Sequence, residues 1–150
     1  MAQPFSLQPL LEIMQERTDE ATRKLGKLIA EEQNEKSRLQ MLEQYRAEYA
    51  NRMSEATAQG ITRTVLRNYQ EFLARIDDAI AAQRQSVANS ENNTRAGQES
   101  WKAQNKQLKA LDTLSQRHEV RQRYREGKQD QKLQDEFSTR KFSGKETQDE

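Results

Sequence analysis

The feature that most constrains this chain is a heptad phase that never slips. Testing residues 7–56 gives Leu7, Leu11, Met14, Thr18, Ala21, Leu25, Leu28, Glu32, Glu35, Leu39, Leu42, Arg46, Tyr49, Met53 and Ala56, at spacings that alternate four and three. That is the period of a coiled-coil seam, and a strand cannot carry it. Thr18, Glu32, Glu35 and Arg46 are its weak positions. A second stripe runs Leu66, Tyr69, Leu73, Ile76, Ile80, Gln83, Val87, Ser90, Thr94, Gly97, Trp101, Gln104, Leu108, Leu111, Ser115 and His118 with the same alternation. Pro9 fits the first turn of a helix, where its missing N–H costs little.

Between the stripes, "SEATAQGIT" (54–62) reads as a turn. Gly60 can take the left-handed conformation that ends a helix, and Thr62 or Thr64 can cap the next one. Two phased stripes joined by a short turn predict an all-α fold, a long antiparallel two-helix coiled-coil hairpin. Helix 1 is expected over about 7–57, the turn over about 58–62 and helix 2 over about 63–140, in a single domain. Each arm of about 50 residues would extend roughly 75 Å.

Composition agrees. Only 33% of the 150 residues are hydrophobic, 33% are charged, and the mean hydropathy is −1.19. Such a chain cannot bury a thick core, so it must be disordered or bury a narrow stripe. With two prolines and five glycines, and Ala, Glu, Lys, Leu and Arg at 70 of 150 positions, the stripe is favoured.

The expected register pairs residues whose numbers sum to 122. It sets Leu42 against Ile80, Tyr49 against Leu73, Met14 against Leu108, Leu11 against Leu111 and Trp101 against Ala21, a large residue facing a small one. The neighbouring register, at 115, would place Glu35 against Ile80 and Glu32 against Gln83. The middle, "VANSENNTRAG" (87–97), combines poor helix formers with a polar seam, so a bend, fraying or local mobility is expected there. A break into a three-helix bundle is the alternative, and the unbroken phase argues against it. Beyond residue 115 the second arm has no partner in the first and should form an overhanging C-terminal helix. Its residues 117–128 hold five Arg or Lys against two Glu. The tail, 143–150, is expected to be disordered.

No catalytic constellation is present. There is no cysteine, and His118 is the one histidine, which excludes thiol chemistry, disulfides and two-histidine metal sites. His118 reads as structural. The carboxylate pairs Glu31–Glu32 and Asp77–Asp78 are neighbours on one helix and read as solvated faces; no glycine-rich phosphate loop exists. No enzyme activity, cofactor or metal is expected. A net charge of +1 predicts no strong attraction to nucleic acid or to an anionic membrane, and the basic run at 117–128 reads as a protein-binding or solvated face. The apolar runs are too short to insert into a bilayer, and "MAQPFSLQPL" lacks the features of a signal peptide, so a cytoplasmic protein is expected.

The aromatic residues are unevenly placed. Four of nine fall within residues 45–72. Tyr49 and Tyr69 lie on the seam, where packing explains them. Tyr45 and Phe72 fall beside it, on flanking positions that face each other in an antiparallel pair, with Ala79 as the next such position on the second arm. A hairpin has no third layer to cover them. With the edges of Leu42, Tyr49 and Ile76 they should form a partly exposed apolar strip near the turn, and such strips mark partner surfaces. Rings that merely lid the seam are the alternative.

The stretches "LQMLEQYRAEY", "QGI", "NYQEFLARIDDAI" and "DQKLQDEF", in this order and spacing, resemble the FliJ family of flagellar export proteins over nearly the whole chain, from "LGKL" to "DEFSTRKF". The resemblance implies a coiled coil similar to the central stalk of rotary ATP synthases. It implies a cytoplasmic protein, peripherally associated with the inner-membrane apparatus of flagellar type III export. Implied partners are the hexameric flagellar export ATPase, the cytoplasmic domain of the export gate and substrate-specific export chaperones. The implied gate strip maps to Leu42, Tyr45, Tyr49, Phe72, Ile76 and Ala79. The family pattern flanks it with a Gln and a His, and this chain departs from that with Arg38 and Gln83. The ATPase contact is expected at the open end, with no residue carried over. A stalk of a related injectisome, a generic coiled-coil scaffold and a nucleic-acid-binding hairpin are the competing readings.

Overall fold

The computed structural model describes residues 3–146 of the chain. Two helices account for nearly all of them, α1 over Gln8–Gln59 and α2 over Arg63–Glu146, and the described residues contain no strand. They group into two compact units, Thr18–Ala103 and the pair of segments Met1–Arg17 and Gln104–Glu150.

The unit Thr18–Ala103 is an antiparallel helical hairpin. The turn is tighter than the nine-residue stretch suggested. Residues 54–59 continue α1 and only 60–62 lie between the helices. Within this last stretch of α1 the Thr57 hydroxyl donates to the Met53 carbonyl at 2.7 Å. Gly60 ends the helix with a φ of 92°, a left-handed conformation that costs a residue bearing a Cβ about 1–2 kcal/mol. Thr62 supplies the cap, its hydroxyl accepting from the Val65 N–H at 3.3 Å.

The alternating stripe is the buried side of both helices. From Leu11 to Ala56 and from Leu66 to His118, every stripe position is buried or half-buried; Leu7, just before α1, is exposed. The innermost cluster is Leu73, Ile76 and Ile80, packed by Leu39, Leu42, Tyr49, Ala50, Met53 and Phe72. Burying such a side chain in full stabilises by about 1.5–3 kcal/mol, so this short cluster anchors the hairpin. The register follows the 122 rule. Thr94 donates to the Leu28 carbonyl at 3.3 Å, and Gly97 lies against Leu25 and Leu28. Trp101 departs slightly from its expected partner Ala21, its indole N–H donating to the Thr22 hydroxyl at 2.9 Å.

Residues 87–97 do not break; α2 is continuous through them. The unbroken phase argued for this continuity, and the polar seam residues here are small and satisfied. Val87, Ser90 and Thr94 are buried. The Ser90 hydroxyl donates to the Val87 carbonyl at 2.7 Å, and that of Thr94 reaches across to α1. Small residues let the opposing leucines come close. A Cβ built at Gly97 would lie 2.7 Å from Leu28 Cδ1.

In the other unit, pairing continues further along α2 than residue 115. The Gln3 carbonyl, ahead of α1, accepts from His118 Nε2 at 2.9 Å and from Gln122 Nε2 at 2.8 Å, and the Phe5 ring lies 5.5 Å from that of His118. The overhang therefore begins after Gln122. It is helical to Glu146, past the end expected near 140, and its side chains are exposed as far as residue 144. Of the expected disordered tail, 143–146 are helical, and 147–150 lie outside the described residues.

Candidate partner-binding site

The two flanks of the seam in the hairpin unit differ in chemistry. On one flank, charged residues pair across the helices: Lys36 with Glu91 at 3.9 Å and Glu43 with Arg84 at 3.5 Å. Arg46 joins them from its weak seam position by a two-pronged contact to the carboxylate of Asp77, with Nη2 to Oδ2 at 3.3 Å. Hydrogen bonding from Arg46 holds the Asp77 carboxyl below its ordinary range. On the other flank stand Tyr45, Phe72 and Ala79.

Tyr49 is the hub of the aromatic group. Its ring centroid lies 4.5 Å from Phe72, 5.3 Å from Tyr69 and 6.3 Å from Tyr45. Tyr45 meets Phe72 edge to face at 6.2 Å. These separations fall in the attractive range for offset and edge-on rings. The rings thus lid the seam and present a surface together. Tyr45 is 44% exposed, Ile76 only 5%. Phe72, Tyr49 and Leu42 are half-buried, and Ala79 is exposed. The strip has a buried floor and an open edge, more covered at Phe72 than its flanking position suggested.

Arg38 and Gln83 meet through Glu35, one of the weak seam positions. Gln83 Nε2 donates to the Glu35 main-chain carbonyl at 3.0 Å and to its carboxylate. Arg38 Nη1 lies 3.8 Å from the same carboxylate. Glu35 therefore ties both ends of the flanking pair together across the helices.

Met41 lies outside both the stripe and its flanking positions. It is 67% exposed and shares a shallow hollow with Leu42, Gln44, Tyr45 and Glu48, which carries the apolar surface onto the outer side of α1. Its position one turn before Tyr45 was the available signal.

Among the described residues no three His, Asp or Glu side chains converge as a metal site, and no helix is long and apolar enough to cross a membrane. The His118 contact with Gln3 holds the start of the described chain against α2.

Known proteins resemble the chain throughout this architecture. The family model described as "Flagellar FliJ protein" matches residues 3–147. The flagellar FliJ protein of Escherichia coli strain K12 is 30% identical over 140 residues, covering 93% of this chain and 95% of its own length. That of Salmonella typhi is 29% identical with the same coverage. Among solved structures, CT670 of Chlamydia trachomatis, described as a YscO homologue, superposes with a TM-score of 0.65 at 16% identity, covering 91% of this chain and 93% of CT670. At that identity the likeness concerns the fold alone.

Proposed function

Because the chain belongs to the FliJ family of flagellar proteins, we propose that it is a non-enzymatic stalk and adaptor of the flagellar type III protein export apparatus. In this reading it promotes assembly of the hexameric export ATPase ring, couples that ring to the cytoplasmic domain of the export gate, and escorts substrate-specific chaperones. It works in the cytoplasm, associated peripherally with the inner-membrane apparatus.

The observation that best supports an adaptor role is the asymmetry of the seam flanks. One flank is closed by cross-helix ion pairs, whereas the other leaves the edges of Tyr45, Phe72 and Ala79 uncovered. A helical pair with no partner would gain by covering both. Aromatic rings at the centre of a patch, with Arg38 and Gln83 at its end, have the composition of a binding hot spot with a polar rim. The proposed gate-binding residues are Arg38, Leu42, Tyr45, Tyr49, Phe72, Ile76, Ala79 and Gln83. Ile76 contributes from beneath, by setting the height of the rings above it.

The test is binding of the purified chain to the cytoplasmic domain of the flagellar export gate, compared with a Tyr45→Ala, Phe72→Ala double variant of unchanged helicity. Loss of binding in the folded variant supports the strip as the gate surface. Unchanged binding moves the gate contact elsewhere on the chain, and no binding by either protein removes the gate from the proposed partners.

A further inference from the structure

The overhanging part of α2 sorts its charges by face. With 3.6 residues per turn, Arg117, Val120, Arg121, Tyr124, Gly127 and Lys128 fall within about a third of the helix circumference. Glu119, Glu126 and Asp130 lie outside that arc. His118 and Gln122, which bond the Gln3 carbonyl, point the opposite way, so Gln3, the first described residue, lies away from this face. Val120 and Tyr124 are 64% and 63% exposed. A shallow hollow lined by Thr113, Gln116, Arg117, Val120 and Arg121 opens on the same side.

The charges on this face are unspent. Among the described residues, the side chains within 4.0 Å of an opposite charge do not include Arg117, Arg121 or Lys128. Lys128 instead sits over the Tyr124 ring, 5.0 Å from its centroid. Val120, Tyr124 and Gly127 follow the four-three spacing of a seam. Arg121 and Lys128 border it on one side and Arg123 on the other. Coiled-coil pairing is selected by such bordering charges: apolar positions supply contact, and flanking residues choose the sign of the partner.

We propose that this face of α2, residues 117–128, is a docking site for an acidic amphipathic helix of another protein, seating apolar residues on Val120 and Tyr124 with carboxylates against Arg117, Arg121 and Lys128. Charge complementarity selects this occupant. A second copy of the chain laid on the same face would oppose cation to cation. The apolar centre favours a protein helix over nucleic acid, whose phosphates would use the cations and leave Val120 unused.

The experiment uses the full chain, isotope-labelled for backbone amide NMR. The probe is a synthetic helical peptide of about 20 residues, long enough to hold a helix, with a leucine seam bordered by glutamates. Controls are the same peptide with lysine for glutamate, a poly-glutamate of equal length and a single-stranded oligonucleotide. The expected result is binding of the acidic peptide with shifts confined to residues 113–131. Affinity should fall at least tenfold in an Arg117→Glu, Arg121→Glu variant, which should then take the lysine peptide. A Val120→Ala, Tyr124→Ala variant should lose a similar factor. These positions are exposed, and circular dichroism checks that each variant remains helical. Absence of binding by the acidic peptide overturns the proposal, as does equal binding of poly-glutamate. Tighter binding of the oligonucleotide, or variants that bind as the parent does, would overturn it too.

Discussion

The side-chain amide of Gln83 donates across the helix pair to the main-chain carbonyl of Glu35 at 3.0 Å, and also reaches its carboxylate. A helical carbonyl already has one partner in its own helix, so this contact uses the second lone pair and fixes the axial position of one helix against the other. Gln83→Ala should destabilise the hairpin by about 1–3 kcal/mol, because the half-buried Glu35 carboxylate loses its cross-helix donor. Urea unfolding followed at 222 nm measures this. Gln83→Glu should cost at least as much, since it places like charges together.

The contact between Arg46 and Asp77 predicts a pH dependence. The folded-state pKa of Asp77 is lowered, chiefly by the hydrogen bonds from Arg46. A depressed carboxyl contributes stability that is fully present above its unfolded value, about 3.9, and is lost as pH falls through the folded value. Both groups are well exposed, so the effect is small and screened by salt. In Asp77→Asn this component of acid destabilisation should vanish, while the remaining acid sensitivity is unchanged. Thermal melts at steps from pH 6 down to pH 2 (roughly, the range spanning ordinary carboxylates) test it.

The sequence carried the hairpin because its one requirement, an apolar stripe at alternating spacings, is written position by position. Leu73, Ile76 and Ile80 were legible as core from period alone. What the period could not convey was how polar seam residues are satisfied. Ser90 and Thr94 suggest weakness when read by propensity, yet their hydroxyls bond to carbonyls and their small size admits Leu28. The Glu35 link between Arg38 and Gln83 was hidden for a similar reason, since Glu35 and Gln83 lie far apart in sequence and face different heptad neighbours. Pairing at Gln3 and Gln122 was missed because it uses a main-chain carbonyl ahead of the helix, which no side-chain pattern encodes.

Gly60 predicts a backbone effect with no loss of packing. A Cβ there would meet nothing within 4 Å, but its φ of 92° is one that L side chains rarely adopt. Gly60→Ala should therefore destabilise by about 1–2 kcal/mol through the left-handed conformation alone. Gly60→Asn should recover part of that loss, because asparagine tolerates the region. A gain in thermal stability for the alanine variant would show that the turn can change conformation to accept it.

Tyr45 and Tyr49 should separate binding from stability. Tyr49 contacts three rings and packs on the Ile76 cluster, so Tyr49→Ala removes the centre of the group and should cost about 2–3 kcal/mol. Tyr45 touches only the edge of that group and is 44% exposed; Tyr45→Ala should cost under about 1 kcal/mol. If the strip is a partner surface, the ranking reverses for binding at a temperature where both variants are folded. Truncating Tyr45 removes an exposed anchor outright. Phe at position 49 should preserve both properties, because no hydrogen bond holds the Tyr49 hydroxyl among those described, whereas Phe at position 45 isolates what the Tyr45 hydroxyl adds to recognition. Titration calorimetry against the gate domain, beside denaturant melts of the same variants, reads both quantities. Parallel losses in affinity and stability would mean that the rings serve the seam alone.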